Sequence, residues 1–436
     1  MSLPIVAIIG RPNVGKSTFF NRVLGVRRAV VHDRPGITRD RNAARAEWSG
    51  RRFVLVDTGG FLPAAAEGRE AAVRRQSEAA IALADLVLFM VDARTGPTDL
   101  DAAIGRRLRR HGTQCVLVVN KVDKPGDLAA HEFHRLGLGE PAAIAAEGGT
   151  GIGDLLDRAI ALLPPPERET EPEHPRVAIV GRPNVGKSSL VNALLGEERV
   201  IVESRPGTTV DAIDTSWRTP AGEFTLVDTA GIRRQAEFRD EAEYFATVRS
   251  LQAIERADVV CLVVDATLGF LRQEARLCQD TLEAGRAILL LYNKWDLVET
   301  RDVRWKALGE ERARRYPTLA GLPALPVSAL EGTHLSRLPR LVGERMELMT
   351  RSVPTRRLNQ WLAAVQQRRQ APANRMGRAP RLYYMTQSGR RPPEFTVFVN
   401  GPERLNEAYR RFLWSRFIEE FGFRGAPVRF RYRKSE

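Results

Sequence analysis

The eight residues GRPNVGKS occupy positions 10–17 and return, letter for letter, at 181–188. A G-x-x-x-x-G-K-S sequence between a strand and a helix turns backbone N–H groups inward around phosphate oxygens. A chain with two of them has to build the same strand–loop–helix corner twice. Sliding the sequence on itself by 171 residues also aligns RPGITRD (34–40) with RPGTTVD (205–211), and LVDTGGF (55–61) with LVDTAGI (226–232). NKVD (120–123) meets NKWD (293–296) at an offset of 173. Four motifs in one order at nearly one offset mean a duplicated domain.

Each copy alternates short apolar runs (VAIIG, FVLVD, DLVLFMVDA, CVLVVN) with longer helical segments such as EAAVRRQSEAAIALA. Strands that are apolar on consecutive residues are covered on both faces, so the expected class is α/β, with two tandem P-loop domains built on mostly parallel sheets flanked by helices. The motifs fall just after such runs, where ligands of these sheets bind. The first domain is expected over 1–163 and the second over 176–349. Proline stiffness and acidic repulsion in LLPPPERETEPEHP (162–175) disfavour helix and sheet, which makes 164–175 a linker.

Residues 350–436 differ in kind and are expected to form a small α+β domain in the order helix, strand, strand, helix, strand. The first helix has an apolar stripe at Leu358, Trp361, Leu362 and Val365, with Thr355 as its N-cap. RLYYMTQ and EFTVFVN follow as strands joined by SGRRPP, then a long helix PERLNEAYRRFLWSRFIEEF and a last strand, VRFRYR. The period of two sets Val428, Phe430 and Tyr432 on one face of that strand and Arg429, Arg431 and Arg433 on the other.

Charge separates this segment from the rest. Residues 350–436 hold 19 Arg or Lys against 6 Asp or Glu, while the other 349 residues hold 48 against 47. A basic module on a neutral body is a landing surface for a polyanion. No apolar stretch approaches the roughly 20 residues of a membrane span, and MSLPIVAIIG has no cationic lead-in, so neither a membrane span nor a cleaved signal is expected and the cytoplasm is the expected location. Cys115, Cys261 and Cys278 lack metal-site spacing and read as buried, inert thiols.

The motifs specify the chemistry. Gly10 and Gly15 let the backbone wrap phosphates, Lys16 reaches the outer ones, and the Ser17 hydroxyl binds Mg²⁺, with Thr18 next in the loop; Gly181, Gly186, Lys187, Ser188 and Ser189 repeat the set. In D-T-x-G, Asp57 and Asp228 hold a Mg²⁺-bound water, and Gly60 and Gly231 bring a backbone N–H to the γ-phosphate. Thr38 and Thr209 supply a second hydroxyl to Mg²⁺, and their loops are candidate order/disorder switches. In N-K-x-D, Asp123 and Asp296 can accept from the N1–H and exocyclic amine of guanine, donors adenine lacks there. Asn120 and Asn293 can meet the far edge of the base while the stems of Lys121 and Lys294 pack on its face. Such a site can reject the wrong base by about 10⁴. A P-loop kinase or ATPase motor is disfavoured by N-K-x-D occurring twice, and a scaffold whose second site binds without hydrolysing stays open.

The motif set resembles translation-factor-type GTPases. Its doubling, with a basic C-terminal module carrying YYMTQSGRRPPEFTVFVNGPE, resembles the Der (EngA) family of bacterial ribosome-assembly GTPases over essentially the whole chain. The resemblance implies GTP hydrolysis coupled to maturation of the large ribosomal subunit through its rRNA, two G domains and a KH-like last domain. GTP or GDP and Mg²⁺ are the implied ligands. A monomer is expected, with neither DNA nor a membrane among its partners. A GTPase acting on tRNA or in translation is the alternative. Phe61 and Ile232 stand where many small GTPases carry a water-orienting glutamine. In related GTPases a P-loop asparagine holds K⁺ against the phosphates, a role that maps onto Asn13 and Asn184; the plainer reading is that this asparagine shapes the loop. The fifth motif reads PVSAL in the second copy, with Ser328 and Ala329, whose backbone can contact guanine O6. The first copy reads AIAAE, with Ala145 in place of the serine and Ala146 after it, and is expected to bind nucleotide more weakly. KH folds usually grip RNA with a G-x-x-G loop between two helices. GFRG (422–425) lies between a helix and a strand and reads instead as a helix C-cap and turn. Arg390, Arg391, Arg410 and Arg411 join the strand arginines as candidate RNA-backbone contacts, with docking on the second G domain as the other use.

Overall fold

A computed structural model describes residues 3–26, 43–58, 78, 80–122, 128–165, 174–196, 214–229, 242–372 and 379–434. The chain divides into two compact units, Met1–Thr170 with Thr247–Gln252, and Glu171–Ala246 with Ala253–Glu436.

The apolar runs of the first repeat become strands. β1 (Ile5–Ile9) leads into helix α1 (Lys16–Val26), followed by β2 (Ala43–Trp48), β3 (Arg51–Asp57), β4 (Leu86–Asp92), α2 (Asp99–His111), β5 (Cys115–Asn120), β6 (Ala142–Ala143) and α3 (Ile152–Leu162). They form one sheet in the order β2-β3-β1-β4-β5-β6, parallel except for the antiparallel β2–β3 pair. Alternation assigns the two faces. Val6 and Ile8 pack with Phe19, Phe20 and Leu155 on one side, and Ala7 and Ile9 with Ile104 and Leu108 on the other. That two-sided cover is why these strands are apolar throughout.

The second repeat follows the same plan. β7 (Arg176–Gly181), α4 (Lys187–Gly196), β8 (Thr215–Thr219), β9 (Gly222–Val227), α5 (Ala242–Arg256), β10 (Val259–Asp265), α6 (Arg272–Glu283), β11 (Ala287–Asn293), α7 (Arg301–Arg315), β12 (Ala324–Pro326) and α8 (Leu338–Thr350) follow in turn. The sheet order β8-β9-β7-β10-β11-β12 matches the first strand for strand.

The basic segment folds as helix, strand, strand, helix, strand: α9 (Thr355–Arg368), β13 (Leu382–Arg390), β14 (Pro393–Val399), α10 (Glu407–Phe421) and β15 (Arg429–Lys434). β14 lies between β13, antiparallel, and β15, parallel. Leu358, Trp361, Leu362 and Val365 are buried as the stripe required, against Phe395, Phe417 and Phe430. Three local expectations change. Thr355 is the first residue of α9 rather than its cap, and Pro354 takes the cap position without a side-chain bond. The long helix is interrupted: Pro402–Arg404 form a 3-10 turn, and α10 starts afresh where the Asn406 side chain accepts from the Tyr409 N–H at 2.8 Å. The strands also extend into SGRRPP, up to Arg390 on one side and from Pro393 on the other. Cys261 and Cys278 are buried and Cys115 half-buried; burial pushes the Cys115 and Cys261 thiols up to about 12, far from reactivity.

GFRG is a helix end and a docking turn. Gly422 caps α10 in the left-handed region (φ 67°), with its N–H on Ile418 O. Gly425 (φ 82°) presses on the second repeat, where its carbonyl accepts from the Ile288 N–H at 2.8 Å. Around it Arg345 donates to Arg424 O (3.1 Å), Arg351 to Phe421 O (3.1 Å) and Arg429 to Glu283 O (3.0 Å). A Cβ at Gly425 would stand 2.7 Å from Pro323 Cδ and 2.8 Å from Ile288 O, whereas one at Gly422 would meet nothing nearer than 3.7 Å. Gly422→Ala then adds left-handed strain alone, about 1–2 kcal/mol, and Gly425→Ala adds a steric clash of about 1–3 kcal/mol. Thermal unfolding should order the melting temperatures wild type, Gly422→Ala, Gly425→Ala from highest to lowest; a Gly425→Ala protein as stable as Gly422→Ala would contradict the docking role.

Candidate functional site

In both repeats the glycine loop turns where the central strand ends. Gly10 (φ 148°) follows β1, and a Cβ there would run into Met90 O; Gly181 (φ 156°) ends β7, and a Cβ there would stand 2.5 Å from Val263 O. Only glycine fits between neighbouring strands at these corners. Asn13 (φ 65°) and Asn184 (φ 63°) adopt the left-handed conformation that asparagine tolerates better than most residues. Shaping the loop is thus a use of these asparagines visible in the backbone itself. The first amides with a helical partner are Phe19 on Gly15 O (3.0 Å) and Leu190 on Gly186 O (2.9 Å). The N–H groups of Lys16, Ser17 and Thr18, and of Lys187, Ser188 and Ser189, precede them at the helix mouths. Such a concave set of donors fits a phosphate chain.

The lysines lie over this cradle. Lys16 Nζ donates to Gly10 O (2.9 Å) and Arg11 O (2.7 Å), and Lys187 Nζ to Arg182 O (2.7 Å). Burial lowers the affinity of both for their protons; in Lys16 the Asp57 carboxylate opposes this, and Lys187 falls to about 8. Ser17 Oγ donates to Asp57 Oδ2 at 2.6 Å, which brings together two of the three proposed Mg²⁺ residues of the first site. The second site is arranged differently. Asp228 is half-buried with a left-handed backbone (φ 58°), and its N–H meets Asp214 Oδ1 at 3.3 Å.

The base-recognition motif is joined to the cradle by its asparagine. Asn120, 2% exposed, donates from Nδ2 to Val14 O (2.8 Å) and accepts at Oδ1 from the Ala146 N–H (2.9 Å). Asn293 repeats this with Val185 O (2.9 Å) and the Ala329 N–H (3.0 Å). A Cβ on Gly15 or Gly186 would strike the Nδ2 of the corresponding asparagine. The second glycine of each loop is therefore required by the strut as well as by the phosphates. Two groups expected at the base also have protein partners. The asparagine side chain is engaged inside the protein at both ends, leaving one N–H and one lone pair for a base. The amides of Ala146 and Ala329 are given to that asparagine, so any contact with guanine O6 shares them.

The lysines of N-K-x-D are anchored too. Lys121 Nζ bonds Asn13 O (2.8 Å) and Asp92 Oδ2 (2.6 Å), and Lys294 Nζ lies 2.6 Å from Asp265 Oδ2. In the fifth motif of the second repeat, fully buried Ser328 donates to Asp296 Oδ1 (2.6 Å) and accepts from the Glu331 N–H (3.0 Å). Ala145 has backbone bonds only, to Thr150 O (3.1 Å) and from the Gly149 N–H (2.7 Å). Thr38, Gly60, Asp123, Thr209 and Gly231, with Phe61 and Ile232, lie outside the described residues.

The model of the 50S ribosome-binding GTPase family matches the chain twice, over residues 5–121 and 176–294. That of the KH-domain-like C-terminal region of EngA bacterial GTPase enzymes matches residues 352–433. The chain is 44% identical to GTPase Der of Desulforamulus reducens over 100% of this chain and 99% of that relative. The chain belongs to the Der family of GTPases. GTPase Der of Caldanaerobacter subterraneus subsp. tengcongensis and that of Gemmatimonas aurantiaca are each 44% identical over 98% of both chains. As a Der-family GTPase it is a GTP-hydrolysing enzyme with tandem P-loop G domains and a KH-like C-terminal domain.

Sequence reasoning missed the acids that steady both cradles of this Der-family chain. Arg11, next to the first glycine, bonds fully buried Asp101 (2.9 Å) and Thr95 (2.8 Å); Arg182 pairs with fully buried Glu274. Asp101 and Glu274 also close the N-termini of α2 and α6, accepting from the Thr98 and Leu271 amides. The pairs Asp92/Asp265 and Asp101/Glu274 share the 173-residue offset of N-K-x-D, a signal present in the sequence.

The Lys187 value has a consequence for binding. Phosphate beside the ammonium favours its charged form, so bound Lys187 holds its proton to higher pH than free Lys187 does. With that contact, affinity at the second site should be full below about pH 8 and fall as pH rises from there towards the bound-state value. Calorimetry with a GTP analogue on a Lys16→Ala protein, in two buffers of different ionisation enthalpy, should show proton uptake on binding at about pH 8.5 and much less at pH 7; equal uptake at both would remove the assignment.

Proposed function

We propose that the chain is a GTP-driven assembly factor for the large ribosomal subunit, with two nucleotide switches that act on an RNA-binding module. The duplicated asparagine strut supports this most directly, because each copy ties a phosphate cradle to a guanine-reading loop in the same way. Two sites of one design give more combinations of nucleotide state than one site can. The family description that matches both repeats is of a 50S ribosome-binding GTPase, and the excess charge of the chain lies in its last 87 residues. The domain limits we assign are 1–163, 176–349 and 350–436. The cytoplasm fits the reading, and among the described residues no helix is long and apolar enough to cross a membrane.

Within each site the cradle amides bind the phosphates, and Lys16 or Lys187 neutralises the charge of the outer ones. Asp123 and Asp296 read the guanine edge. Ser17, Thr38 and Asp57, and in the second site Ser188, Thr209 and Asp228, would hold Mg²⁺, which would neutralise phosphate charge. The Ser17 and Asp57 oxygens, 2.6 Å apart, suit such an ion. Gly60 and Gly231 meet the γ-phosphate. The first site binds nucleotide less tightly because Ala145 offers no hydroxyl to fix its base-reading aspartate. Phe61 and Ile232 cannot orient water, which leaves a role for K⁺ near Asn13 and Asn184.

Sedimentation of the full-length protein with separated ribosomal subunits tests the assembly role. With a non-hydrolysable GTP analogue it should travel with the large subunit, and with GDP less so. Equal occupancy of both subunits, or of neither, would favour a tRNA- or translation-linked GTPase. For the monovalent ion, hydrolysis at equal ionic strength should be faster in KCl than in NaCl, and equal rates would exclude K⁺ from the mechanism.

A further inference from the structure

The outward face of the third sheet carries two aromatic rings that its core does not use. The β13–β14 ladder shifts register between Leu382 and Tyr384: Leu382 opposes Val399, and Tyr384 opposes Phe398. Leu382 and Val399 are buried on the helix side. The extra residue, Tyr383, turns Tyr384 to the opposite side, as a bulge does. There Tyr384 and Phe398 stack, with ring centroids 4.2 Å apart and planes 14° from parallel. Tyr384 is 44% exposed and Tyr383 48%, and the Arg381 guanidinium lies 5.8 Å from the Tyr383 ring centre.

The neighbouring strand adds charge. In the parallel β14–β15 register, Phe398 opposes Arg433, Thr396 opposes Arg431 and Glu394 opposes Arg429. The three arginines have different surroundings. Arg429 donates to Glu283 O in the second G domain. Arg431 is 2.8 Å from Glu394 and still 57% exposed. Arg433 is exposed beside the aromatic pair. One end of the face is therefore fastened to the G domain, and the other presents the row Tyr384, Phe398, Arg433 across three strands at about 5 Å spacing.

A flat ring beside a guanidinium suits a base with its phosphate. Every base has a π-face, but in a duplex that face is covered by its stacking neighbours. The surplus of 19 basic over 6 acidic residues in this segment disfavours an acidic-poor protein surface as occupant and favours a polyanion. We propose that this face is a stacking platform for an unpaired base of single-stranded RNA, received by Tyr384 and Phe398, with Arg433 meeting the adjoining phosphate. The inference rests on the reading that the third domain meets RNA.

Fluorescence anisotropy of the full chain with a short labelled RNA, single-stranded or annealed as a blunt duplex, tests it. Tyr384→Ala should weaken single-strand binding about tenfold, the scale of one lost base–aromatic stack, and leave duplex binding and the salt slope unchanged. Tyr384→Phe, which keeps the ring, should bind as wild type does. Arg433→Ala should weaken both RNAs and reduce the salt slope by about 1. GTP hydrolysis and thermal unfolding equal to wild type would establish that the variants fold. Undiminished single-strand binding by Tyr384→Ala, while the wild type binds RNA, overturns the platform alone. Loss of ribosomal-particle binding with single-strand binding intact identifies a protein occupant and also overturns it. A wild-type chain that binds neither RNA removes the RNA reading and the platform together.

Discussion

A buried amide side chain holds each nucleotide site together. Asn120 and Asn293 sit at the ends of β5 and β11, at 2% exposure, with one end on a P-loop carbonyl and the other on an amide of the fifth motif. Three loops far apart in sequence are thereby held in one register, and the strut fixes the distance between phosphate cradle and base loop. Replacing the asparagine would leave a buried carbonyl and a buried N–H unpaired, each at about 1–3 kcal/mol. The glycines at 15 and 186 belong to the same joint, since any side chain there would occupy the space of the asparagine amide.

Around this joint the two sites place acids at corresponding positions but finish them differently. Asp101 and Glu274 each hold the P-loop arginine and a helix N-terminus at once. Asp57 is fully buried against Ser17, whereas Asp228 is half-buried with its backbone turned left-handed. Ser328 fixes Asp296, and Ala145 has no hydroxyl with which to act likewise. Duplication has preserved the frame, and the sites differ at Asp57 against Asp228 and at Ala145 against Ser328.

The basic module shows why counting charges is not enough to locate a binding surface. Of the arginines expected to meet RNA, Arg429 is fastened to the second G domain and Arg431 to Glu394, while Arg410 lies 4.9 Å over the Tyr432 ring and donates to Pro402 O. Arg433 alone of the strand arginines stands beside exposed aromatic rings. GFRG, whose letters match an RNA clamp, is pressed into the second G domain through Gly425. Docking and RNA contact divide one strand between them.

The sequence by itself determined the duplication, the α/β class and the order of the motifs along each copy, because those depend on local spacing and on apolar runs that only a two-sided sheet can bury. It also placed Leu358, Trp361, Leu362 and Val365 in the third core and Gly422 at a helix end, since helical period and left-handed backbone are local properties. It did not show that Thr355 would enter its helix instead of capping it, because the backbone leading into the helix is tied by a tertiary contact, the Val353 N–H on Gln387 Oε1. Tertiary structure alone decided the partners of Asn120 and Asn293, the use of Gly425 as a docking point and the meeting of Tyr384 with Phe398. Each of these depends on which segments the fold sets side by side, and the aromatic pair also on a one-residue shift of register that period-two patterning does not encode.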